Sequence, residues 1–375
     1  MIHVAWRILT HEIGRSLLAV GGMIVAVLMI FLQLGFYSAI PVGGTLVYDR
    51  MLFDMVLTSS HYVFQGQSPA IPRRRLYQAL GHRDVEAAAP LYMGAVNWIN
   101  EGGVGRYELF VIGFRLEDRI FDAPSLTRQL AILQREDTVL IDSATYPMFG
   151  KIEAGRVTEM SNRTVTIGGT YDLGIGFLGL GVALASDQNF LRLQPERSLS
   201  SPSLGLLRLK AGADPDRVAR DLRAIMPADT RVFTRSEFLD FETDYWVVRT
   251  STGQVFGFGV VVALIVGGVI LYQTLSTQVS RQLPQYATLK AMGYTNEYLR
   301  GIVVSLALMM SAAALPLAYV AALFAYGFVH DATKLPIAMN ALRLFVVVAL
   351  RLVMSTGAAI YAARALKRAD PVDLF

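Results

Sequence analysis

The sequence predicts an α+β membrane protein: four transmembrane helices, with a large α+β domain between helices 1 and 2. Three observations carry this. Apolar runs at 16–40, 253–275, 302–327 and 342–363 each reach the roughly 20 residues that cross a hydrocarbon core. Between the first and second runs lie about 210 residues of ordinary mixed sequence, enough for one or two compact domains. Basic residues gather in alternate connecting segments, as expected where Lys and Arg stay inside.

Taken in order, residues 1–15 read as an interfacial cytoplasmic helix. Val4, Ile8 and Ile13 are apolar, while Trp6 suits a membrane interface and Arg7 and Arg15 hold this end inside. The run over 16–40 is too long for a signal-peptide core and lacks a small-residue cleavage site, so it reads as an uncleaved anchor. The domain over 41–249 begins and ends alike. At its start, a strand-like run from Met51 to Phe64 precedes a helix over Ile71 to Leu80 with Pro72 in its first turn, then a strand from Val85 to Asn97. Near its end come a strand at Leu204–Leu209 and a helix at Asp214–Ile225, capped by Asp214 with Pro215 in the first turn. A strand at Arg231–Thr234 and a helix capped by Ser236 follow. Two such β-α-β units can pair into one split ferredoxin-like sheet. The middle, about 99–193, is then an inserted β-rich lobe, with strands at Glu108–Phe114, Thr138–Ile141, Arg163–Ile167 and Val182–Ser186. Glycine-rich stretches at 102–105 and 168–181 interrupt it.

The uncharged run around the second span would reach about 46 Å as one helix, more than the hydrocarbon thickness. It is therefore expected to project outward as a stalk. The third span carries a kink signal at Pro316. The tail over 364–375 holds Arg364, Lys367 and Arg368, so both termini are expected in the cytoplasm. Between the second and third spans, the 281–300 loop holds Arg281, Lys290 and Arg300 against the single acid Glu297. Its middle reads as a short helix, with Pro284 near the first position and Gly293 where a left-handed residue would end it. A plain linker would not need Leu283, Tyr286, Leu289, Met292 and Tyr294, so the loop is a docking candidate.

Several chemistries are excluded. The sequence lacks a phosphate-binding G-x-x-x-x-G-K-[ST] loop, so this chain is not expected to hydrolyse nucleotide by itself. With 0 cysteines and 5 scattered histidines, no metal site is expected. A net charge of +4 without a dense basic run argues against nucleic acid. The cluster Arg73-Arg74-Arg75 reads as a solvated helix face or as a contact for an acidic partner. Arg351 lies within the fourth span, where a cation costs several kcal/mol unless shielded. It either faces a helix interface or polar path, or snorkels to a surface. Gln33, Gln254 and Gln273 are candidates for interhelical hydrogen bonds, and Gly257, Gly259, Gly267 and Gly268 for close helix packing.

One spanning helix, a large outer domain and three further helices resemble the layout of the MacB/FtsX/LolC-type ABC transporter permeases. Within these, the run from Gln282 to Tyr294 resembles the DevC branch. So do Gly169–Phe177, Ala185–Arg192 and the ending Asp370–Phe375. The resemblance implies a permease of the bacterial inner membrane that is not itself an enzyme. The loop would be a coupling helix with Tyr286, Leu289, Lys290, Met292, Gly293 and Tyr294 against an ABC ATPase subunit, which carries the ATP and Mg. It further implies a homodimer, a periplasmic porter lobe, a periplasmic adaptor and an outer-membrane channel, with lipid-like or other cargo moved by mechanotransmission. Two relatives of the same layout are alternatives: an FtsX-like complex that activates a periplasmic hydrolase, and a lipoprotein-releasing permease. Arg351 has no place in that pattern.

Overall fold

A computed structural model describes residues 2–11, 13–100 and 105–364. Expectations placed on Glu12, on Gly102, Gly103 and Val104, and on the ending Asp370–Phe375 lie outside these residues. The chain divides into two compact units, one formed by residues 1–39 and 251–375 and the other by residues 40–250.

The first elements are α1 (Ile2–His11) and α2 (Ile13–Asp49). The α+β unit then carries β1 (Met55–Ser59), α3 (Arg74–Leu80), β2 (Val85–Ile99), β3 (Arg106–Phe114) and α4 (Pro124–Thr127). It continues with β4 (Thr138–Asp142), β5 (Val157–Met160), β6 (Arg163–Tyr171), β7 (Val182–Ser186) and α5 (Asp187–Leu193). It closes with β8 (Leu204–Leu209), α6 (Pro215–Ile225), β9 (Thr230–Thr234) and α7 (Arg235–Asp244), after which Tyr245–Arg249 forms a π turn.

Strands β2, β8, β1 and β9 lie in that order and all neighbours are antiparallel. This is the ferredoxin-like pairing of the two β-α-β units. Alternation explains its two faces. Met55, Leu57, Leu207, Leu209 and Val232 point to one side and pack with Leu76 of α3 and Val218 and Leu222 of α6. Val56, Leu204 and Leu206 point to the other and pack with Phe238 of α7.

The inserted strands continue the same sheet, in the order β3-β7-β4-β6-β5-β2, and the β2–β3 pairing closes these six into a ring. Strand β2 serves both parts: Val85–Leu91 pairs with β8, and Leu91–Ile99 pairs with β3. The ring therefore takes in β2 from Leu91, ahead of the boundary read at about 99, because one unbroken strand feeds both parts of the sheet. Its interior is filled by Trp98, Leu109, Val111, Val139, Ile141, Val165 and Ile167, all fully buried.

Three local expectations change. Helix α3 starts at Arg74 rather than Ile71, since the Ile71 amide donates to the Pro202 carbonyl (2.8 Å) and holds that residue outside the helix. Helix α7 is capped by Thr234, not Ser236. Its hydroxyl accepts from the Glu237 amide, and Glu237 returns to the Thr234 amide (2.9 Å), which completes a capping box. Arg75 is not solvated. It is buried and clamps Asp229 through two bonds of 3.1 and 2.6 Å.

The other unit holds most of α2, together with α1 and the later helices α8 (Ser251–Arg281), α9 (Leu283–Ala291), α10 (Asn296–Thr333) and α11 (Ala341–Ala362). Four of these, α2, α8, α10 and α11, are long and apolar enough to cross a membrane. The first, read over 16–40, continues through Pro41 to Asp49, and the third continues through Pro316. Small residues let the helices approach: a methyl group on Gly259 of α8 would lie 2.5 Å from the Gln33 side chain of α2. Large apolar side chains such as Phe258, Ile265, Phe324, Phe328 and Phe345 face outward from the spans. Water would not tolerate that surface, and a lipid tail does. The chain is a multi-pass membrane protein.

Candidate functional site

The loop between α8 and α10 is built around α9. Pro284 sits in its first turn, where no intrahelical amide is required. At the other end Gly293 has φ +93°, its amide donates to the Lys290 carbonyl (3.0 Å), and the Tyr294 amide donates to the Leu289 carbonyl (3.2 Å). That pair of bonds is a Schellman termination, and the left-handed residue it needs is disfavoured with any Cβ. Thr295 then caps α10 through the Tyr298 amide (3.3 Å), so only a few residues separate the two helices.

This geometry sorts the loop candidates. Tyr286 is buried at 1% exposure in a cluster with Leu275 and Val279 of α8 and Leu299 and Ile302 of α10. Its hydroxyl meets Gln282 at 3.3 Å, and burial raises its pKa. Tyr286 thus anchors α9 instead of presenting itself to a partner. Leu289 and Lys290 are half-buried. Met292, Gly293 and Tyr294 are exposed, and the Tyr294 ring stacks on Tyr298 with centroids 4.8 Å apart. The result is an apolar, partly aromatic tip held rigid by a capped turn.

Arg351 is 2% exposed, so it does not snorkel. It belongs to the inward stripe Arg343, Val347, Arg351, Ser355 and Ala359, spaced by four along α11. Ser355 bonds Ser311 of α10 at 2.7 Å. None of the three guanidinium nitrogens of Arg351 has a hydrogen-bond partner among the described residues. Arg343, at the other end of the stripe, bonds Ser38 and the Ala338 carbonyl (2.6 Å) and lies over the Tyr326 ring.

A second constellation lies in the α+β unit where α2 ends and the π turn precedes α8. The β6–β7 loop is pinned by buried Asp142, which accepts from the Leu173 (3.0 Å) and Gly174 (2.9 Å) amides. Burial raises the Asp142 pKa, while these amides oppose the shift. The loop then meets α2: Gly176 turns with φ +52°, and the Phe177 amide donates to the Gly43 carbonyl (3.0 Å). Phe177 also packs on Trp246 of the π turn (4.7 Å), and Trp246 lies where a side chain on Gly44 would have to go. Next to this contact, Phe64 stacks flat on Tyr245 (4.4 Å, 6°). Buried Glu242 accepts from Tyr62, whose hydroxyl lies 3.4 Å from that of Tyr48. Sequence reading missed this group. Its one signal was spacing: Phe238, Phe241, Glu242 and Tyr245 recur at helical intervals, which puts an acid on an apolar face.

Among the described residues, no group of three or more His, Asp or Glu could hold a metal ion.

Comparison with known proteins finds similarity over parts of the chain. Residues 257–371, from within α8 onward, match the family model described as FtsX-like permease C-terminal. No curated protein matches. Among solved structures, the periplasmic region of MacB from Actinobacillus actinomycetemcomitans is similar at 8% identity and a TM-score of 0.34, over 50% of this chain and 91% of that one. The extracellular domain of the ABC-type transporter YknZ from Gram-positive bacteria is similar at 10% identity and a TM-score of 0.32, over 48% of this chain and 99% of that one.

Proposed function

We propose that this chain is the permease subunit of an ABC-type transporter and that α9 is its coupling helix for a separate ATPase subunit. The observation that carries the reading is the rigid, exposed tip Met292-Gly293-Tyr294, set between two spans inside the segment that matches the FtsX-like permease model. Leu289 and Lys290 flank the contact, and Tyr286 holds α9 in place beneath it. The chain itself is non-catalytic; ATP and Mg belong to the partner. In this reading the chain sits in the inner membrane as a homodimer with both termini in the cytoplasm, and the α+β unit lies in the periplasm. ATP binding brings the coupling helices together, and the α+β units move cargo, lipid-like or otherwise, into an adaptor and an outer-membrane channel. Such coupling requires the moving parts to prefer different states with and without ATP. The DevC-like loop sequence supports export. The FtsX-like family match also fits a regulatory complex that applies the same motion to a periplasmic hydrolase.

The test is co-purification of the ATPase with the Met292→Asp, Tyr294→Asp double variant. Both side chains are exposed, so the fold is kept while the apolar tip becomes charged. Retained ATPase is expected to fall by about tenfold or more, which corresponds to about 1.4 kcal/mol or more of contact energy. Undiminished binding overturns the docking role.

A further inference from the structure

The group at the end of α2 has a property that docking and export do not use. Glu242 is 0% exposed, one of its carboxylate oxygens accepts from Tyr62, and the other has no partner. Each element packed around it offers polar or charged groups. From α2 come the Tyr48 hydroxyl and Asp49. From the segment after β1 come Tyr62 and the Gln65 amide, which faces the carboxylate. Gln65 is itself buried, and its side-chain amide has no partner among the described residues. On α7, the Arg235 guanidinium is engaged by the carbonyls of Tyr48 (2.9 Å), Met51 (2.8 Å) and Phe53 (3.2 Å). In the π turn, Arg249 pairs with Asp244 at 3.0 Å. No cation among the described residues lies within ion-pair distance of Glu242. A charged carboxylate here would be buried and uncompensated, which is costly, whereas the neutral acid is not.

The position gives this chemistry a consequence. Glu242 stands on α7 three residues before the π turn that leads into α8. Its partner Tyr62 reaches it from the segment after β1, and Tyr48, at the end of α2, reaches the Tyr62 hydroxyl in turn (3.4 Å). Short π-helical turns occur often at functional sites. We propose that Glu242, Tyr62 and Tyr48 form a proton-sensitive latch that fastens α7 and its π turn to the end of α2, closed while the acid is neutral and loosened when it ionises.

The direction follows from the shift. Burial raises the Glu242 pKa from 4.5 to about 7 in the closed arrangement. Below pH 4.5 both closed and open forms hold the proton and the latch is unaffected. From 4.5 to about 7 the closed form is progressively disfavoured, and above 7 the full effect is present, about 300-fold in the closed-to-open ratio.

The test uses the full chain in nanodiscs of neutral lipid. Infrared titration should show a protonated carboxyl band that disappears near pH 7 and is missing from Glu242→Gln. Hydrogen exchange, corrected for its intrinsic pH dependence, should rise over the same range in segments 60–67 and 245–249 of the unmodified chain. It should stay flat in Glu242→Gln. Tyr62→Phe removes a donor that favours the ionised form, so its midpoint should move upward; this variant carries the test if Glu242→Gln does not fold. A band that titrates in the ordinary carboxylate range, an exchange profile unchanged in Glu242→Gln, or a Tyr62→Phe midpoint that stays put or falls would each overturn the latch.

Discussion

At the scale of single residues, Arg351 poses the sharpest energetic question. Its guanidinium is buried within a membrane-spanning helix and bonds no described atom. A charge so placed destabilises its surroundings unless another group reaches it. This chain has little to offer. Along the four spans the described acids lie only at helix ends, at Asp49, Glu297 and Asp331. A second copy would bring the same composition, so it could not supply a carboxylate from within a span either. Replacing Arg351 with methionine, similar in length and uncharged, is therefore expected to stabilise the detergent-solubilised protein by about 1–4 kcal/mol. Thermal unfolding measures this directly. A lowered midpoint would mean that the guanidinium has a stabilising partner absent from the isolated chain. The sequence could flag Arg351, because one charge in an apolar run is a local property. It could not choose between burial and snorkelling, because that depends on which face of α11 meets α10.

Among the secondary-structure elements, those with local causes were legible. Helix α6 begins at Asp214 and Pro215 as its cap signals require, and four of the five inserted strands overlap the runs read as strands, whereas the short strand β5 (Val157–Met160) was not read. The start of α7 was misplaced by two residues. Both Thr234 and Ser236 can cap, and only Thr234 has an acid three positions on, at Glu237. That box joins the last strand of the ferredoxin-like sheet to the helix that carries Glu242. Thr234→Ala removes the acceptor for the Glu237 amide and is expected to cost about 1 kcal/mol. Denaturant unfolding of the α+β unit within the full chain reads this out, and Ser236→Ala is the control. If the Ser236 variant loses more than the Thr234 variant, the cap has been assigned to the wrong residue.

The whole molecule was legible as a layout and, for the split ferredoxin-like pairing of β2, β8, β1 and β9, as a topology, but not for the ring. Spans, the intervening domain and its two β-α-β ends follow from hydropathy and short-range pattern. The closed ring does not: its parallel pairings β3–β7 and β4–β6 join residues far apart in sequence, and no local signal sets their register. The buried Glu242 group was missed for the same reason, since Tyr48, Tyr62 and Glu242 come from three separate stretches. Legible in outline but still to be measured is sidedness. The proposed export mechanism needs Lys290, on the coupling helix, in the cytoplasm and Asp172, on the loop that reaches α2, in the periplasm. The chain has 0 cysteines, so Lys290→Cys and Asp172→Cys each place a single reactive thiol in an otherwise silent background. A membrane-impermeant maleimide added to intact cells that admit it only to the periplasm should modify the Asp172→Cys protein. The Lys290→Cys protein should react only after the inner membrane is opened. Labelling of both thiols from the same side would leave the ATPase-facing helix and the α+β unit in one compartment, and a mechanism that carries movement across the bilayer would then have nothing to cross.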